Sequence, residues 1–454
     1  MKQKRDRSQI ADTIWANCMP QHKVLIIVAL VLVMMLSGGC IGISPIPQKD
    51  HQSPSDLDEE PITIEFWRPQ AHEPENQYYL QAVERFNLQN RGKIQIHMEV
   101  ISRGNSFAYE NKVYAALASN VLPDLISLDG PNVANYASMG IISPLDTYFS
   151  PSELTDFLPG ILKQGTYDGK LYAIGQSESS VVLFYNRRIL SDHGISPPAS
   201  IEQAWTWEDW YRVMKTCAEE DIVGTNMIGD QGEWMTYAFE QFWISNGTDL
   251  VSPEGHRADG YVNSPQGVEA AKFLARLASE ELFHIDPSPT EFEEGKAVTK
   301  LGGPWNIPGF SNFPELDWGI TYFPRSPQGI QTAPSGNWAL AITTNCEQPE
   351  TAAEVIKYLT NLENGIALSR AISMPPARRS AYLELPEYNE YPLRIIREQV
   401  MTVSHPRPIT PAYPVLTQKF AESLIRIMRG SDIQRSLDDV ATTYDQEYAA
   451  TFSP

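Results

Sequence analysis

Ile62–Trp67 reads ITIEFW, Asn76–Asn90 reads NQYYLQAVERFNLQN, and Lys93–Val100 reads KIQIHMEV. The first stretch alternates apolar and polar residues, as a half-buried strand does. The second sets Tyr79, Val83 and Phe86 at helical spacing. The third returns to period two, with Ile94, Ile96, Met98 and Val100 on one face. Strand, helix and strand within about forty residues make a βαβ unit, which requires parallel pairing. The fold class expected from this opening is α/β.

The pattern continues outward. YENKVYAALASN (109–120) reads as a second helix and LPDLISLDG (122–130) as a short buried strand behind a proline. KLYAIG (170–175) and VVLFYN (181–186) are strand-like. Residues 200–290 are mainly helical. There Thr206 is a candidate N-cap with Asp209 three positions on, and Ser264 caps a helix with Pro265 at its first position. Short strands and turns return over 297–345, and the C-terminal part is helical again, with Gly430 as a helix stop. This order predicts two lobes built from non-contiguous segments, 61–172 with 297–345 and 173–296 with 346–454. Several chain crossings between lobes make a hinge.

The N-terminal residues form a separate segment. Lys2, Lys4, Arg5, Arg7 and Lys23 precede VLIIVALVLVMML (24–36), which has no polar group, and LSGGC ends at Cys40. A spanning helix needs ~20 apolar residues, so this run is short for a stable anchor. Basic flank, apolar run and small residues describe an export signal over 1–39. LSGGC resembles a bacterial lipobox, which implies lipidation of Cys40. The Pro-, Ser- and acid-rich residues 40–60 then read as a flexible tether.

Charge excludes one class of partner. The first 39 residues carry five Lys/Arg against two Asp, or +3; the whole chain is −21, so the remainder is −24. Such a surface disfavours nucleic acid and anionic lipid headgroups. Beyond Cys18 and Cys40 only Cys217 and Cys346 remain, and the sequence leaves open whether they are buried thiols or a pair. No Ser-nucleophile elbow, zinc-protease helix, phosphate loop or dinucleotide fingerprint occurs, and the His residues are scattered. No catalytic residue, metal site or cofactor is therefore expected.

Gly302–Phe310, GGPWNIPGF, brackets Trp305 with glycines and prolines and excludes a regular helix or a long strand. Together with AVERFNLQN (82–90), AALASNVLPDLISLDG (115–130), NYASMGIISPLDTYF (135–149), TYDGKLYAIG (166–175), VVLFYNRRIL (181–190), LDWGITYFP (316–324), GNWALAITTN (336–345) and AISMPPARRSA (371–381), it resembles the sugar-binding solute receptors of ABC importers, the maltose-binding-protein group. The resemblance runs from about Ile62 to the C-terminus. It implies a type II periplasmic-binding-protein fold, each lobe a sheet flanked by helices, with a multi-strand hinge and the ligand between closing lobes. It also implies an extracytoplasmic monomer that docks on a membrane permease, and the lipobox at Cys40, read independently, fits such a receptor held to the membrane by lipid.

Sugars have apolar C–H faces that lie on aromatic rings and hydroxyl rims that need fixed polar groups. The resemblance places Trp305 and Trp338 as platforms, with a core role as the alternative for each. Trp67 either lines the cleft or caps the core. Asp129 either accepts from hydroxyls or supports Gly130 in an Asx turn. Glu178 lies after a crossover, Arg378 near the cleft rim, and Glu75 and Asn76 in the loop after the first strand. Tyr185 either packs at the hinge or meets ligand. Trp205, Trp207 and Trp210 read as packing. Rival readings are a receptor for a polyol or glycerol-phosphate-type solute, a sensor serving a membrane kinase, and a glycoside hydrolase using paired acids such as Asp129 and Glu178.

Overall fold

Residue 60 is where the computed structural model begins to describe the chain, covering 60–104, 107–327 and 329–452. The leader, Cys40 and nearly all of the tether lie outside the described residues. The opening βαβ unit comprises β1 (Ile62–Pro69), α1 (Glu73–Gln89) and β2 (Ile94–Ile101), with β1 and β2 parallel and Ile62 opposite Ile94. Then come α2 (Ala108–Ser119) and β3 (Leu125–Asp129), which lies parallel to the other edge of β1. β3 is buried along its whole length, as a central strand covered on both faces must be.

Further along are β4 (Ile174–Gly175), β5 (Val182–Asn186), α3 (Trp207–Cys217), β6 (Val223–Asn226), α4 (Glu233–Ser245) and α5 (Pro265–Ser279). They are followed by β7 (Ala297–Gly302), β8 (Trp318–Thr321), β9 (Ala333–Ser335) and β10 (Trp338–Ile342). The chain continues through α6 (Pro349–Leu359), α7 (Leu362–Ile372), β11 (Ser404–Pro406), α8 (Tyr413–Met428) and α9 (Ile433–Thr451). The expected helix starts recur as geometry. Thr206 and Asp209 form a reciprocal capping box, and Ser264 accepts the N–H of Gly267.

Two sheets organise the molecule. The first runs β2-β1-β3-β10-β4 and the second β8-β5-β7-β6. In the first sheet Ile64, Phe66, Leu125, Leu340 and Ile342 pack with Tyr79, Phe86, Val355 and Ile356 of the helices on one face. Ile126, Leu128, Ala339 and Ala341 pack with Tyr109 and Val113 of α2 on the other. Each large side chain so buried contributes roughly 1.5–3 kcal/mol. In the second sheet Leu183 and Leu301 face Trp207, Trp210, Phe242 and Phe273, which confirms a packing role for those two tryptophans. The Trp210 indole N–H also donates to Thr299 Oγ1 at 3.1 Å.

The lobe boundaries differ from those expected. β7 and β8 belong to the second sheet, because β7 pairs with β5 and β6, and β8 pairs with β5. Conversely α6 and α7 pack on the first sheet and α1. The chain passes between the sheets at 176–181 and at 336–337. Residues 373–376 run beside them, with Ser177 bridging Pro376 and Ser179 bridging Gly336. Cys217 and Cys346 are both free thiols.

Candidate ligand-binding cleft

β1, β2 and β3 are parallel, so their carboxyl ends come out on one side. The parallel pair β6 and β7 brings its own carboxyl ends to the same space. That is where open α/β sheets leave a crevice. A cavity of about 900 Å³ lies there, lined by residues of both sheets and their connections.

Arg68 organises the first wall. It is buried, and its guanidinium donates to Glu75 and to Asn76, each at 2.8 Å, while lying 3.9 Å over the Tyr79 ring. Asn76 Oδ1 also accepts the N–H of Ala71, and its amide donates to Ala71 O, which pins the loop after β1. Glu75 faces the cavity and Asn76 stands behind it. Burial raises the Glu75 carboxyl, against the lowering pull of Arg68 and Arg103. His72 on the same loop is lowered by burial and then by Arg103 and Lys300. Trp338 opens β10, with Arg103 5.2 Å over its ring.

Aromatics form the opposite wall. Trp305 meets Trp234 edge-on at 6.3 Å and Tyr237 at 6.2 Å. Trp234 and Tyr237 are three apart on α4, so they share a face. GGPWNIPGF is more ordered than its composition implied. Gly302 ends β7, Pro304–Asn306 form a 3₁₀ turn, and Ile307–Phe310 form one α-helical turn. Gly303 is required by close approach, since a Cβ there would fall 1.9 Å from the Trp305 ring. Asn306 Oδ1 accepts the Gly303 N–H at 3.1 Å and closes the turn.

Charge in the cleft is largely internally paired. Arg407 makes a bidentate contact with Asp129 and also meets Glu233. Glu233 further accepts from Tyr413 and from Thr417. Burial raises the Glu233 carboxyl, and Arg407 opposes that. Lys300 pairs with Glu293 at 2.7 Å.

Of the expected site residues, Trp305, Trp338, Asp129 and Glu75 line the cavity. Four do not. Trp67 packs on the α2 side of the first sheet beneath Lys112. Tyr185 is buried in β5, with its hydroxyl 3.3 Å from that of Tyr391. Arg378 lies over Phe157 and bonds Thr360 O and Asp156, away from the cavity. Glu178 is buried behind the wall, its carboxylate accepting backbone N–H groups. In each case a nearer partner takes the side chain. Reasoning from sequence missed Trp234, Tyr237, Arg103, Asn226, Lys300 and Arg407, which all line the space. The i,i+3 pair Trp234/Tyr237 in EWMTYAFEQFWIS was a readable signal.

Comparison with known proteins fits this architecture. A galactooligosaccharide-binding protein of Bacillus subtilis is 23% identical over 348 residues, covering 73% of this chain and 78% of its own. A diacetylchitobiose-binding protein of Streptomyces coelicolor is 22% identical, covering 68% and 72%. Among solved structures, the GacH receptor of Streptomyces glaucescens superposes with a TM-score of 0.74 at 21% identity, covering 87% of this chain and all of that one. A cyclic α-maltosyl-1,6-maltose-binding protein of Arthrobacter globiformis gives 0.72 at 22%, covering 86% and all of that chain. These likenesses carry the two-lobed fold. The model of the bacterial extracellular solute-binding proteins matches residues 81–395, and the chain belongs to that family.

Proposed function

We propose that this protein is the carbohydrate receptor of an ABC importer, binding a mono- or oligosaccharide between its lobes and presenting it to a membrane permease. The observation that carries this reading is the cavity wall of Trp305, Trp234 and Tyr237 facing Trp338 across about 900 Å³, with polar groups fixed at its rim. Flat aromatic faces suit pyranose C–H faces, and that volume lies within the ~300–1,000 Å³ of small-molecule sites. Relatives whose names specify galactooligosaccharide and diacetylchitobiose support the same class. The leader and LSGGC support an extracytoplasmic protein held to the membrane by lipid on Cys40. A phosphate-bearing solute would need spare cations; Arg407 and Lys300 are already paired with carboxylates, which leaves Arg103, over the Trp338 ring, as the lining cation without a carboxylate partner among the described residues.

The test is a thermal-shift screen of the full chain against neutral oligosaccharides, polyols and glycerophosphodiesters. A ligand at 100 times its Kd stabilises by ~2.7 kcal/mol. A shift with a glycerophosphodiester and none with any carbohydrate would overturn the substrate class. Release of monosaccharide from a bound glycoside would overturn the receptor reading.

A further inference from the structure

Glu178 stands where two crossover segments meet the 373–376 run beside them. Its backbone N–H donates to Pro375 O at 2.8 Å, which ties 176–181 to 373–376. Its Oε1 accepts the N–H of Gly336 and of Ser179, each at 3.0 Å, which ties in 336–337. Oε2 faces Gly160, where a Cβ would fall only 3.1 Å away, so there is no room for a longer side chain to insert. The residue is 2% exposed. From this knot a short chain leads to the cleft. Ser179 Oγ donates to Gly336 O at 2.5 Å and meets the Tyr237 hydroxyl at 2.6 Å, and Tyr237 lies against Trp305.

We propose that Glu178 is a positioning residue of the hinge: its carboxyl fastens the two crossovers together behind Tyr237 and Trp305, its backbone N–H ties in the 373–376 run, and ionisation of the carboxyl loosens them. This rests on the reading of the cavity as a ligand cleft between lobes.

The surroundings set the direction. The charged and titratable groups that face Glu178 are Arg407, Tyr237 and Tyr382. Burial pushes the Glu178 carboxyl up to about 7. The N–H of Ser179, the Ser335 hydroxyl, the N–H of Gly336 and the Arg407 charge all pull it back, and burial outweighs them. A carboxyl raised above its unfolded value binds its proton more tightly in this arrangement than when hydrated. The advantage is complete below the ordinary carboxylate range and is lost as pH rises towards 7. Above that, the ionised group gains by meeting water, and water reaches it when the crossovers part.

Hydrogen exchange read by mass spectrometry on the full chain tests this at pH 6 and pH 8, corrected for intrinsic rates. The peptides to follow span 176–181 and 333–338. In the wild type their protection falls by about tenfold at the higher pH, the response of one unit of proton linkage. Glu178→Gln keeps the shape without the charge and holds the pH 6 protection at both values. Glu178→Ala, which removes the acceptor, loses protection at both. Equal wild-type protection at the two pH values, or an unchanged pH response in Glu178→Gln, would overturn the proposal. No ligand is needed, so a failed sugar screen and a failed hinge test are separate results.

Discussion

Arg407 grips both carboxylate oxygens of Asp129, Nη2 to Oδ1 at 2.6 Å and Nη1 to Oδ2 at 2.7 Å. Asp129 ends β3 of the first sheet, and Arg407 follows β11, which pairs with β9 between the sheets. Glu233, at the start of α4 in the second lobe, meets the same Nη1. One planar guanidinium thus satisfies carboxylates from both lobes at the floor of the cleft, a geometry that an ammonium cannot reproduce.

Removing that cation strands two buried acids. Arg407→Met is expected to cost about 3–5 kcal/mol, the usual loss when one partner of a buried ion pair is deleted. Arg407→Lys is expected to recover only part of it. Urea unfolding at neutral pH measures both. A loss below about 1 kcal/mol for the methionine variant would mean that Asp129 and Glu233 find water or other partners.

Trp305 separates binding from folding. It is half-buried and packs against both large cores, yet one side faces the cavity. Each aromatic contact is worth ~0.5–1.5 kcal/mol beyond area, so Trp305→Ala is expected to cost about 1–3 kcal/mol of stability. Affinity for the sugar found by the screen should fall by about tenfold or more. Unchanged affinity with a loss of ~4 kcal/mol would make the indole a core plug.

Glu110 on α2 offers a second readout of burial. Its Oε2 is buried without a hydrogen-bond partner among the described residues. Burial, only partly offset by its own backbone N–H and by Arg103, pushes the carboxyl up to about 7. A raised carboxyl costs stability as pH rises from its unfolded value towards 7, because the unfolded chain ionises first. Glu110→Gln is therefore expected to stabilise the protein by on the order of 1 kcal/mol at pH 8 and to change little at pH 4. Thermal melts of the two proteins across that range check it, and a larger gain at the acid end would reverse the assignment.

The opening βαβ unit was legible because its information is local. Ile94, Ile96 and Tyr79 carry periods that a strand and a helix impose on their own residues. The caps at Thr206 and Ser264 are local for the same reason. Sheet membership is not: β7 joins β5 and β6, both distant in sequence, and nothing in AVTKLG names those partners. The site divides likewise. Trp305 and Trp338 stand out as indoles in Gly-containing turns, and both face the cavity. Arg407 lies between prolines in a segment without periodicity, and only the fold brings Asp129 to it.

Arg378 shows how a side chain of suitable chemistry can be placed wrongly, and it supplies a control. Its Nε donates to Thr360 O at 2.6 Å, its Nη1 meets Asp156 at 3.3 Å, and its guanidinium lies 4.1 Å over Phe157. Ser380 donates to Asp156 from both its N–H and its hydroxyl. These groups hold the Asp156 carboxyl below its ordinary value even though burial pulls the other way. The arrangement joins the end of α6 to the 155–158 turn and has no atom in the cavity lining. Arg378→Ala is therefore expected to lower stability by about 1–2 kcal/mol through the lost hydrogen bonds and ring contact. Sugar affinity, measured by titration calorimetry beside Trp305→Ala, should stay within about twofold of wild type, a difference under ~0.5 kcal/mol. A tenfold loss of affinity with unchanged stability would restore Arg378 to the site and show that the cleft reaches further towards the Phe157 side than its lining indicates.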